Sequence, residues 1–249
     1  MQVLSSILVL AVKMFIDTSW VDSVYFTIQD YGLMSSEYFN LLCEIIYPAL
    51  IIADILIILP FIIKDKLSFL KPISKSTGFI YFLEGIVLNA IVSWVVVNIP
   101  EGIVSSDYEN LMSVAMTGSP VLVMLCSGIL APIVEELIFR FGIFKMLENK
   151  SDIYKIIVSS LLFGLAHMNL VQSTYAFVLG LILGSVYAKN KNLVPSLILH
   201  LTINATSVLY EFSRIQLQGY MLLVVSIASL YLLVLFIKSN FNIKIFLSN

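Results

Sequence analysis

The chain has 249 residues, 59% of them hydrophobic and 12% charged, with a mean hydropathy of +0.99. A soluble domain of that composition would have too little polar surface to cover itself, so the chain reads as an integral membrane protein. Its formal charge of −2 supplies no basic field and no Lys/Arg-rich run lies outside the short loops, which argues against nucleic acid as a partner.

Runs approaching the roughly 20 apolar residues that cross a bilayer predict helices over 2–16, 40–63, 78–99, 120–146, 153–169, 173–188, 194–211 and 218–237. The first and sixth are short for a span. The polar stretches between them are too brief for a separate soluble unit, so residues 1–249 read as one integral membrane domain. The apolar start, Met1 to Ile16, lacks a basic leading region and carries Lys13 at the wrong end for a cleavable signal, which predicts a retained helix. The loop to Phe39 holds Trp20, Tyr25, Phe26, Tyr31 and Tyr38, an aromatic set suited to the outer headgroup boundary. Cys43 and Cys126 fall within apolar segments and read as small buried hydrophobes.

Lysines decide the orientation. Lys64, Lys66, Lys71 and Lys75 follow the second run, whereas Glu101, Asp107 and Glu109 follow the third. The first of these loops is therefore expected to be cytoplasmic and the second external. Continuing the alternation puts Lys145, Lys150, Lys155, Lys189, Lys191, Lys238 and Lys244 inside, leaves Lys13 and Arg214 outside, and predicts two cytoplasmic termini. The stretch Lys66 to Lys71 interleaves basic and apolar residues like a segment lying on the anionic inner leaflet. Gly180 and Gly184 predict a close helix approach in the sixth run.

Charge inside these helices needs a reason, since an ionised residue at a helix centre costs on the order of 2.5 to 3.5 kcal/mol. Measured at 1.5 Å per residue from the lysines at each cytoplasmic edge, Glu135, Glu136 and His200 lie roughly 14 Å deep, His167 roughly 18 Å and Asn204 roughly 20 Å. Both histidines of the chain are in that slab. Glu136 with Arg140, Phe163 with His167, and His200 with Asn204 are spaced i,i+4, so each pair shares a helix face. Three such faces lining one cavity would support hydrolysis. A carboxylate takes a proton from water, an imidazole orients that water, and N–H groups hold the oxyanion.

In this order on successive hydrophobic spans, Glu135-Glu136-x-x-x-Arg140, Phe163-x-x-x-His167 and His200-x-x-x-Asn204 resemble the motif set of the CPBP family of intramembrane proteases. That family includes the type II CAAX prenyl endopeptidases and bacterial Abi proteins linked to bacteriocin self-immunity. The matched motifs span a little over a quarter of the chain, and the first three runs resemble the family only in being hydrophobic. The resemblance implies an all-α polytopic membrane bundle of about eight transmembrane helices enclosing a polar cavity, with a motif-bearing core at about 119–212. It implies Glu135 as general base on water with His167 assisting, His200 and Asn204 stabilising the oxyanion, Glu136 and Arg140 in support, and Phe163 packed beneath His167. The implied substrate is a membrane-associated peptide or protein, with or without a lipid group, in contact with membrane lipid. Prenylated tails, peptide pheromones and bacteriocin precursors all fit, and the favoured setting is the bacterial plasma membrane. The family usually carries a metalloprotease label, so a divalent metal such as Zn, held by Glu135, His167 and His200, stays open as a cofactor. No His-Glu-x-x-His pair argues for it.

Other readings stand beside this one. Glu135, Glu136 and Arg140 could be a buried ion-pair network that only holds helices together. Asp54 and Glu84 fall at the same roughly 14 Å depth, and either support the site or mark a proton or cation path. The second possibility keeps a proton- or cation-coupled transporter as a rival, with a non-catalytic immunity scaffold as a third.

Overall fold

The computed structural model of the chain describes Ser23, 47–49, 51–57, 59–60, Ile63, 68–99, 119–167 and 169–213. Within those residues the fold is all-helical. Five helices carry the argument: α1, Lys75–Val97; α2, Pro120–Met146; α3, Asp152–Leu165; α4, Leu170–Asn190; and α5, Leu193–Ser213. Further helical residues lie between Tyr47 and Ile57. The predicted helices over 2–16 and 218–237, the aromatic loop and Cys43 lie outside the described residues.

Four of these helices, α1, α2, α4 and α5, are long and apolar enough to cross a membrane. The chain is thus an integral membrane protein built as a helical bundle. The sixth run, short on paper, becomes a full 21-residue helix because Asn169 caps it, its side-chain oxygen accepting from Val171 and Gln172 N–H. The fifth run behaves oppositely. Its helix has only 14 residues, about 21 Å, against the roughly 30 Å hydrocarbon core, and it ends at a turn through Ala166 and His167. The predicted helix over 153–169 thus stops four residues early, because Asn169 recruits the following backbone into α4.

Local signals fix the other ends. Ser74 and Ser151 accept from Thr77 and Tyr154 N–H at the starts of α1 and α3. Between α4 and α5, Lys191 adopts φ 46° as the left-handed cap. Its Nζ reaches Asp152 at 2.8 Å, and that hydrogen bond holds the Asp152 carboxyl below its usual range. Asn192 exchanges two 3.0 Å hydrogen bonds with the backbone of Lys71, while Leu193 N–H donates to Phe69 O. Of the stretch Lys66 to Lys71 the described residues are 68–71, and among them Phe69 is buried with Leu137 and Leu193, its ring 4.6 Å from that of Phe141. Ser68 and Leu70 stay exposed.

Helix α5 packs on α1, on the first half of α2 and on α4, while α3 and α4 form a tight antiparallel pair. Small residues set these crossings. A Cβ on Gly180 would stand 3.0 Å from Ser160 Cα, and one on Gly184 would stand 3.4 Å from Ile156, as the spacing of the two glycines predicts. The outward faces of α1 and α3, with Phe79, Phe82, Leu83, Ile157, Leu161 and Leu165 exposed, suit contact with lipid.

Helix α2 changes its hydrogen-bond register along its length. It is α-helical over Pro120–Val123, π-helical over Met124–Leu130, α-helical over Ala131–Glu135, π-helical over Glu136–Gly142 and α-helical again over Ile143–Met146. Stretches of π-helix inside α-helices concentrate at functional sites. Here they bracket the single α turn that ends in Glu135.

Candidate active site

Glu136 and Arg140 face each other one turn apart on α2, Arg140 Nε lying 3.2 Å from Glu136 Oε1, with both side chains wholly buried. The same carboxylate oxygen lies 3.1 Å from Nδ1 of His200, delivered by α5. The other ring nitrogen of His200, Nε2, lies 3.4 Å from Oε2 of Glu135. Successive residues on a helix diverge by about 100°, so the imidazole between them meets one carboxylate at each nitrogen. A chain of charged contacts therefore runs Arg140, Glu136, His200, Glu135.

The two glutamates differ in access. Glu136 has 0% side-chain exposure and is enclosed by Arg140 and His200, whereas Glu135 keeps 26% exposure. Glu136 also has Ser196 and Tyr187 as near neighbours. Ser196, one turn before His200 on the same face of α5, donates to Leu193 O at 3.1 Å. Neither residue figures in the sequence reading, although the i,i+4 spacing of Ser196 and His200 was a usable signal.

Phe163 is the hub on the α3 side. Its ring carries the Arg140 guanidinium 4.3 Å above its centroid, a cation–π contact for a cation whose terminal nitrogens find no hydrogen-bond partner among the described residues. It meets His167 and His200 edge-on, with centroids 4.9 and 5.6 Å apart, and Phe139 at 5.3 Å. Ser159 ties α3 to α2 by donating to Phe139 O at 2.6 Å. Phe163 packs against His167, with which it shares a helix face by spacing, while its contacts with Arg140 and His200 were not legible from spacing.

His167 sits in the turn just beyond α3, its N–H donating to Gly164 O. Its Nδ1 lies 2.8 Å from Phe163 O. A carbonyl can only accept, so this contact places the proton on Nδ1 and leaves the Nε2 lone pair available to a water or a substrate proton. Non-helical backbone at membrane depth survives where it is buried in protein or lines a cavity, which fits the placement of this turn.

Asn204 shares a face with His200, but its Nδ2 donates to Ser127 O of α2 at 3.1 Å. Asp54 is buried close to Cys126, which is itself buried among Tyr47, Val123 and Val208. Glu84 lies near Lys189 and Tyr81, and the Tyr81 hydroxyl accepts from Asn190 at 3.2 Å. The structure thus joins Glu135, Glu136, Arg140, Phe163, His167 and His200, and gives Asn204, Asp54 and Glu84 other neighbours.

The donor set does not fit a metal in this arrangement. Among the described residues no group of three or more His, Cys, Asp or Glu side chains is spaced to hold an ion, and both nitrogens of His200 already face carboxylates.

The chain is similar in sequence to known proteins. Residues 117–206 match the family described as type II CAAX prenyl endopeptidase Rce1-like, an interval that contains every motif residue from Glu135 to Asn204. The chain is 32% identical over 160 residues to the UPF0177 protein YxdF of Lactococcus lactis, covering 60% of this chain and 88% of that protein. It is 29% identical over 96 residues to the putative membrane peptidase YdiL of Bacillus subtilis, covering 38% of this chain and 39% of that one. No solved structure matches.

Proposed function

Because this chain belongs to the CPBP family of intramembrane proteases, we propose that it hydrolyses a peptide bond of a membrane-associated peptide with Glu135 as the base. A protease acting on peptide in a membrane setting is what the family and the helices support at the general level. One observation carries the finer assignment: of two adjacent carboxylates bridged by one imidazole, Glu136 is sealed and held by Arg140, and Glu135 alone is partly open.

The roles follow from those environments. Glu135 takes a proton from a water molecule, and the oxygen left behind attacks the carbonyl carbon of the scissile bond. His167, with Nδ1–H held by Phe163 O, presents Nε2 to orient that water. The negative charge that develops on the carbonyl oxygen is met by the Nε2–H of His200, which turns to it from the Glu135 carboxylate once that carboxylate has taken the proton of the water. When the carbon–nitrogen bond breaks, the proton on Glu135 passes to the departing amine. Glu136 and Arg140 keep the His200 ring in register.

The substrate class is a lipid-associated or lipidated peptide, with CAAX-type tail processing and maturation of, or immunity to, peptide pheromones and bacteriocins as the candidate settings. Both similar proteins come from bacteria, which supports a bacterial plasma membrane. The test is cleavage of candidate peptides by the purified protein in detergent. Glu135→Gln is expected to lower turnover by about 10²- to 10⁴-fold with an unchanged unfolding midpoint. Equal turnover by wild type and variant would remove Glu135 from the chemistry.

A further inference from the structure

The π register of α2 has a chemical end point. Its last i→i+5 bond in the first π stretch runs from Ala131 N–H to Cys126 O. The next bond in that register would reach Ser127 O from residue 132, and residue 132 is proline, which has no N–H to give. Ser127 O therefore loses its helical donor about two turns before the glutamates, inside a helix that crosses apolar surroundings. An unsatisfied backbone carbonyl is costly there, since no water can take the place of the lost donor. The Asn204 amide supplies the missing donor from α5, Nδ2 to O at 3.1 Å.

The surrounding residues are shaped for this contact. Pro132 is fully buried. Gly128, next to Ser127, faces Ala205, next to Asn204, and a Cβ added at Gly128 would lie 3.5 Å from Ala205 Cα. Two small residues thus bring the α2 and α5 backbones close enough for a short amide to bridge them. One turn away on the same face of α5, His200 must meet Glu135 and Glu136 at 3.4 and 3.1 Å. A slip of a single helical turn, about 5.4 Å, would undo both contacts.

We infer that Asn204 is a positioning residue: it occupies the carbonyl that Pro132 orphans and so fixes the register of α5 against α2 that sets His200 between the two glutamates. This rests on the protease reading for its effect on turnover, but the link between Asn204 and Pro132 is physical and is tested without any substrate. In Pro132→Ala the restored N–H lets the helix satisfy Ser127 O by itself, from residue 132 in the π register or from Ala131 in the α register.

The experiment is a double-mutant cycle of Asn204→Leu and Pro132→Ala, read by unfolding midpoint in detergent and by peptide turnover. The expected result is that Asn204→Leu lowers the midpoint in the native background and by less than half as much beside Pro132→Ala. Turnover should drop at least tenfold in Asn204→Leu with KM within twofold, and recover to within threefold in the double variant. If Asn204→Leu alone cannot be purified folded, recovery of folded protein on adding Pro132→Ala is the same supporting result, and failure to recover it overturns the proposal. Equal midpoint losses in both backgrounds overturn it as well. A midpoint rescued without turnover would put Asn204 on the reacting atoms and overturn the positioning role. A wild type that cleaves no peptide would sink the protease reading, and the midpoint cycle would still decide this one.

Discussion

The most exacting residue in the molecule is Arg140, a cation with no exposed side-chain surface, held by one carboxylate and one aromatic face. Two buried charges gain little net stability from each other, but removing one leaves the other stranded. Arg140→Ala is therefore expected to lower stability by about 3–5 kcal/mol, measured by chemical unfolding in detergent. Replacing both partners, Glu136→Gln with Arg140→Met, should recover most of that loss while leaving turnover depressed, because the His200 ring loses its carboxylate anchor. A pair that served only to hold helices together would give the stability result without the loss of turnover. At this scale the sequence was informative: the i,i+4 spacing of Glu136 and Arg140 correctly placed them face to face. It could not separate the two glutamates, because neighbouring residues share composition, depth and helix and differ only in what covers them.

Among the elements, α3 and α4 are the pair whose geometry is most constrained by size. Gly164 and Gly180 lie where an added Cβ would come within 2.8 Å of Ser173 O and 3.0 Å of Ser160 Cα, both backbone atoms that cannot swing aside. Gly184 has 3.4 Å to the flexible Ile156 side chain. Gly180→Val is expected to destabilise by about 1–3 kcal/mol through overpacking and to cut turnover by displacing Phe163. Gly184→Ala should be tolerated within about 0.5 kcal/mol. Thermal midpoints of the two variants, side by side, check the difference, and matching losses would mean that the crossing is looser than drawn. Hydropathy gave little hint that α3 ends early, since residues 153–169 stay largely hydrophobic as far as Ala166. What stops the helix is the capping of α4 by Asn169, a hydrogen-bond competition that hydropathy does not register.

For the whole molecule, the arrangement of lysines makes a prediction about sidedness. Lys150, Lys155, Lys189 and Lys191 gather at the end of the bundle where Asp152 joins Lys191. Positive residues mark cytoplasmic loops, so this end and both termini are expected to face the cytoplasm. A C-terminal fluorescent-protein fusion should be bright, and a C-terminal alkaline phosphatase fusion silent, in bacterial cells. A single cysteine placed at Lys150 should resist a membrane-impermeant thiol reagent until the cells are opened. Labelling of intact cells would invert the topology and move the site towards the outer half of the bilayer.

Composition determined that this protein lives in a membrane, and the continuous apolar runs of roughly 20 residues determined that it is built of helices, because a barrel strand would be about half as long and alternate apolar with polar residues. Spacing and depth then grouped Glu135, Glu136, Arg140, Phe163, His167 and His200, and the side chains of these residues meet in the fold. Three things needed the folded structure. The wedge of His200 between the glutamates depends on the rotation of α5 against α2. The division between a sealed Glu136 and an open Glu135 depends on Arg140, Ser196 and Tyr187 arriving from different turns and helices. The partner of Asn204 depends on a carbonyl left vacant by a proline 72 positions earlier in the chain, a pairing of backbone and side chain that no periodicity encodes.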